Sequence, residues 1–67
     1  MAGFYQARLR ILCVTRGWNR PDYEIIKGNC GFYVTVTVNG ESFTGIEAYD
    51  LNYAKDEAAQ LAYRNLK

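Results

Sequence analysis

Along the chain the spacing of apolar positions switches from three-and-four to two and back again. From Phe4 to Arg16, Leu9, Leu12, Cys13 and Arg16 recur at helical spacing, with Phe4 or Tyr5 one turn earlier and Gly17 as a stop. This predicts a first helix over 4–16. Pro21 then precedes a short apolar run and suits the start of a strand, predicted over Tyr23–Lys27. In "FYVTVTVNGESFTGIEA" the alternation is strict: Phe32, Val34, Val36 and Val38 share one face, and Tyr33, Thr35 and Thr37 the other. Asn39 and Gly40 supply the two positive φ angles of a type I′ turn, so strands two and three form a hairpin. Counting outward from that turn sets Val38 opposite Glu41, Val36 opposite Phe43, Val34 opposite Gly45 and Tyr33 opposite Ile46. Phe43 joins the valine face and Ile46 the Tyr33 face. Asp50 reads as an N-cap whose carboxylate accepts from the following turn, and Leu51, Ala54, Ala58, Leu61 and Ala62 make the apolar stripe of a second helix. The small alanines allow that helix to approach the valine face closely. The expected fold class is α+β, ordered αβββα, with a three-stranded antiparallel sheet and both helices on one face.

Composition narrows what such a fold does. Sixty-seven residues predict a single domain over 1–67, burying only about 60% of the surface its unfolded chain exposes, which leaves no deep enzyme cleft. With no histidine and scattered carboxylates there is no constellation for acid–base catalysis, so no catalytic residue is expected, nor a small-molecule substrate. Cys13 falls on the buried face of the first helix and reads as a small core residue. Cys30 lies in a loop as a free thiol, and two cysteines without histidine make no metal site. No cofactor is expected. The longest wholly apolar run is Ile11–Val14, far too short to cross a bilayer, and no signal peptide is evident; an intracellular, reducing location is the expectation. The net charge is only +1, whereas nucleic-acid domains usually carry a clear basic excess.

Three stretches together resemble the double-stranded RNA-binding domain: "LCVTRGWNRPDYEII", "FYVTVTVNG" and "AKDEAAQLAYRNL", in order over residues 7–66. The most specific pieces are Gly17, Trp18, Pro21 and Tyr23, the Val, Asn, Gly turn, and Ala54, Lys55, Ala58, Ala59 and Ala62. The resemblance implies a non-catalytic binding module of an RNA-processing or RNA-silencing type protein. Members that bind duplex RNA span about 16 base pairs and need three surfaces. The first, a polar pair on helix one, corresponds here to Arg10 and Ile11. The second, a loop between strands one and two carrying a Gly, Pro, x, His pattern, is here the short "KGNCG", Lys27–Gly31. The third, a Lys, Lys, x, Ala, Lys motif opening helix two, is here Leu51, Asn52, Tyr53, Ala54 and Lys55, with one lysine of three kept. Asp50 and Asp56 flank Lys55 and oppose a phosphate. The match thus implies the family scaffold with much of its cationic grip removed.

Two partner classes follow. In the first, the module acts mainly through protein contacts, self-association included, and the candidates are Tyr33, Ile46 and Ala48 on the outer sheet face, joined by one of Ile25 and Ile26, with Tyr49 and Tyr53 near helix two. Leu51 continues the helical stripe and reads as core. In the alternative, weak shape-directed binding of double-stranded RNA runs through Arg8, Arg10, Lys27 and Lys55, facing one groove edge. The arginines otherwise form a solvated face, and Trp18 packs at the exit of helix one.

Overall fold

The structure, a computed structural model, describes residues 3–67. Helix α1 spans Phe4–Arg16, strands β1, β2 and β3 span Asp22–Lys27, Phe32–Val38 and Glu41–Thr44, and helix α2 spans Leu51–Leu66. The strands form one antiparallel sheet in the order β1, β2, β3. Helix α2 packs on β2 and β3, and α1 packs against α2. This is the αβββα arrangement expected from the pattern.

Local signals set the boundaries. Gly17 takes φ 73°, and the Trp18 and Gly17 amides donate to the carbonyls of Cys13 and Val14 at 2.9 and 3.2 Å. That is a Schellman ending, closed by packing of Trp18 on the core. Asn39 and Gly40 have φ 50° and 84°, as a type I′ turn requires, and Val38 faces Glu41 as counted.

The core is small and wholly apolar: Leu9 and Cys13 of α1, Val34, Val36 and Val38 of β2, and Ala54, Ala58, Ala59 and Ala62 of α2. A Cβ built on buried Gly45 would lie 3.0 Å from the backbone nitrogen of Ala58, so the helix axis does approach the sheet as closely as its alanines permit. Each buried valine contributes about 1.5–3 kcal/mol, and no buried charge offsets that gain among the described residues.

Three expectations need correction. The hairpin register holds to Thr44, and the Gly45 amide still donates to the Val34 carbonyl at 3.1 Å. Beyond it Ala48, not Glu47, pairs with Phe32, through bonds of 2.7 and 3.0 Å. Ile46 and Glu47 therefore both stand against Tyr33, the two-for-one count of a β-bulge. The extra residue turns Ala48 inward, where it packs on the core beside Phe32 rather than joining the outer face. Along α2 the stripe rotates: Leu61 is 41% exposed and Ala59 is buried instead, because α2 must face α1 as well as the sheet. Asp50 occupies the N-cap, but its side chain makes no capping hydrogen bond; its carbonyl accepts from Ala54 at 2.9 Å.

One core-facing side chain carries a polar cost. Tyr23, opposite Val36 on β1, has a buried hydroxyl without a hydrogen-bond partner among the described residues. Burial, and then the nearby Asp56 carboxylate, push its pKa up to about 12, with Arg10 pulling the other way. Because the folded value lies above that of a free tyrosine, the group leaves stability unchanged below about pH 10 and lowers it as pH rises from there through about 12, where the unfolded chain ionises and the folded one resists. Tyr23→Phe should flatten the pH dependence of urea unfolding in that window without lowering stability near neutrality.

Candidate functional site

The start of α2 is where the resemblance places the densest cationic contacts, and it is built differently here. Leu51 packs on the core, while Asn52 and Tyr53 are exposed. Lys55 is half-buried. Asp56 does not simply oppose approaching phosphate. Its Oδ1 accepts the Tyr5 and Gln6 amides at 2.8 and 3.1 Å, so α2 supplies a cap that the N-cap residue of α1, Gly3, has no side chain to give. A long-range carboxylate of this kind fixes the two helix starts together, and Gln6 adds a longer contact of 3.4 Å to the Asn52 carbonyl.

The loop from Gly28 to Gly31 turns on itself, with the Gly28 amide donating to the Gly31 carbonyl at 2.7 Å. Consecutive amides of Cys30 and Gly31 both donate to Oε2 of Glu47, at 2.7 and 2.8 Å. Two adjacent backbone amides converging on one oxygen form an anion site, and here its occupant is the chain's own carboxylate. Glu47 reaches the loop because the bulge brings Ala48 beside Phe32. The loop lies folded against the segment between β3 and α2, so it does not project.

The four basic residues singled out from the sequence stand on three elements. Arg8 and Arg10 are exposed on α1, Lys27 is exposed at the end of β1, and Lys55 is on α2. Arg10 lies within electrostatic reach of the Tyr23 hydroxyl. Arg8 holds its guanidinium 4.7 Å above the Phe4 ring. Together with Phe4, Tyr5, Tyr63, Arg64 and Lys67 it lines a cleft between the helices. Neither Arg64 nor Lys67 stands out in the sequence. Tyr63 and Lys67, one turn apart, were the available signal, but only the relative rotation of the two helices places them beside Arg8.

The protein-contact candidates separate as well. Ile26 pairs with Tyr33, so these two share the outer face, while Ile25, opposite Val34, points to the helix side. The rest of that face is polar, and the hydroxyls of Thr35 and Thr44, and of Thr37 and Ser42, pair at 2.8 Å. Ile46 at the bulge and Tyr49 just before α2 are 63% and 83% exposed, and Tyr53 is exposed one turn into the helix. Ala48 leaves the set, being turned inward by the bulge. A small pocket of about 130 Å³ is lined by Cys30, Glu47, Ala48 and Tyr49. Cys30 is exposed, whereas Cys13 is buried and burial raises its thiol pKa. Among the described residues no group of three or more His, Cys, Asp or Glu side chains is placed to hold a metal ion, and no helix is long and apolar enough to cross a membrane.

Neither a protein-family model nor a curated protein sequence matches the chain. Solved structures do. A structure of Arabidopsis HYL1, described with its molecular implications for miRNA processing, is similar over 94% of this chain and 96% of that one, with a TM-score of 0.85 and 26% identity. The first dsRBD of protein HYL1, the subject of a backbone chemical-shift assignment, is similar over 88% of this chain and 90% of that one, with a TM-score of 0.76 and 26% identity.

Proposed function

We propose, starting from this chain's membership of the double-stranded RNA-binding domain family, that it is a non-catalytic, intracellular module acting mainly through protein contacts, self-association included, with weak duplex binding. The observation that carries this reading is the exchange made where the loop meets the start of α2. Loop reach is replaced by a turn held on Glu47, two of three lysines are replaced by Leu51 and Asn52, and exposed Ile46, Tyr49 and Tyr53 stand nearby. A polyanion gains little from such groups, and a protein surface gains apolar burial. Tyr33 and Ile26 extend the patch on the outer sheet face.

The second reading, shape-directed RNA binding through Arg8, Arg10, Lys27 and Lys55, is supported by the likeness to the first dsRBD of HYL1 and by the exposure of three of those cations. Sedimentation at about 0.1 mM separates the two: self-association that Ile46→Lys abolishes, alongside duplex binding no tighter than about 10 μM, is the expected outcome. A strict monomer that binds the duplex at micromolar affinity or better, and loses it in Lys55→Ala, reverses the order of the readings.

A further inference from the structure

The cleft lined by Phe4, Tyr5, Arg8, Tyr63, Arg64 and Lys67 has a volume of about 300 Å³ and no carboxylate in its lining. The chain has a net charge of only +1, so three cations in one concavity are a local concentration of positive charge. Two of them are braced on aromatic faces: Arg8 lies 4.7 Å above the Phe4 ring and Lys67 5.4 Å above the Tyr63 ring. Phe4 also stands edge-on to Tyr5 at 4.9 Å, and Tyr5 tilts toward Tyr63 at 6.3 Å. The rings therefore serve as supports that hold the charges in place. With the Phe4 and Tyr63 rings each carrying a cation, the cleft offers a poor platform for stacking bases.

The surface beside the cleft is apolar. On α1 the side turned away from the core carries Phe4, Ala7, Ile11 and Val14 at helical spacing, and Ile11 and Val14 are 63% and 75% exposed. Phe4 belongs both to this stripe and to the cleft. The Ile11 and Val14 side chains themselves offer a phosphate no hydrogen bond, whereas they offer an apolar helix face a surface to bury.

We propose that this combined surface docks an acidic amphipathic helix from another protein, its apolar face along Phe4, Ile11 and Val14 and its carboxylates entering among Arg8, Arg64 and Lys67. A second copy of the chain does not fit that description. Its α2 buries its apolar stripe and commits Asp56 to the α1 amides, and its α1 carries no acidic residue. The surface lies away from the bulge and sheet residues invoked above, so the inference goes beyond the proposed function and stands independently of self-association.

The test uses the whole chain and a designed peptide of about four helical turns, leucine along one face and glutamate beside it. Amide shifts of 4–14 and 63–67 should move on titration, with the affinity weakened at least about 10-fold by Arg8→Glu with Arg64→Glu. Ile11→Ser with Val14→Ser, both at exposed positions, should weaken it roughly 5-fold. Ile46→Lys should leave it unchanged, which separates this surface from the first. The same peptide with lysine for glutamate should not bind. The proposal is overturned if the amides stay still up to about 1 mM peptide, if the variants keep wild-type affinity, or if single-stranded RNA or inorganic phosphate occupies the cleft more tightly than the peptide.

Discussion

Replacing Gly31 by alanine is expected to lower the unfolding free energy by about 3 kcal/mol, at the upper end of the cost of forcing extra atoms into a packed site. A Cβ there would run into the Ala48 carbonyl, coming within 2.6 Å of its carbon and 3.1 Å of the Tyr49 nitrogen. Both are backbone atoms, so relief requires moving the chain, and the nearest chain is the bridge between Phe32 and Ala48. Losing that bridge also withdraws Glu47 from the amides of Cys30 and Gly31. Gly28→Ala is the informative companion. Its Cβ would meet the carboxyl of Glu47 and the ring of Tyr33, both side chains. It should cost less, about 1 kcal/mol, because a side chain can swing where a backbone cannot. Urea unfolding of the two variants measures the difference. Equal stabilities would mean that the bulge is not what holds the loop.

The second large effect concerns the duplex. Leu51→Lys combined with Asn52→Lys returns the start of α2 to three lysines with Lys55. Each restored phosphate contact is worth about 1 kcal/mol, so affinity for an RNA duplex should rise by about 30-fold, and the slope of log K against log salt should steepen by about 2. Asn52 is exposed and accepts the change freely. Leu51 is half-buried, and its replacement should cost about 1 kcal/mol of stability. Duplex titrations at several salt concentrations read the gain. A pair of glutamines at the same positions, which adds no charge, should not reproduce it.

What could be read from the sequence was local. Strict alternation from Phe32 to Val38, the Asn39 and Gly40 turn, and Gly17 after a helical stripe each specify backbone geometry within a few residues; α1 and β1 fall within a residue of their expected bounds, whereas β3 stops at Thr44, short of the pairing expected to Ile46. The candidate site was only partly readable, for one recurring reason. The bulge at Ile46 and Glu47 arises because Ala48 must reach Phe32 while Gly31 allows its carbonyl to approach, a fit between segments far apart in sequence. Counting from the turn cannot detect the extra residue, and so it placed Ala48 on the wrong face. Nothing near Glu47 or Asp56 in the sequence marks their carboxylates as partners of backbone amides, yet both accept such bonds across long sequence separations. Arg64 and Lys67 gain a neighbour in Arg8 only when the two helices are set side by side. Ala59 replaced Leu61 in the core for the same cause, since α2 has two surfaces to satisfy at once.

Whether this scaffold has lost most of its grip on a duplex, as proposed, is decided by titrating the unaltered chain with an RNA duplex of about 20 base pairs over a range of salt. The expected result is a Kd weaker than about 10 μM at roughly 0.1 M salt and a slope no steeper than about −2, the mark of one or two displaced counterions. Submicromolar binding with a slope near −5, both lost in Lys55→Ala, would contradict it.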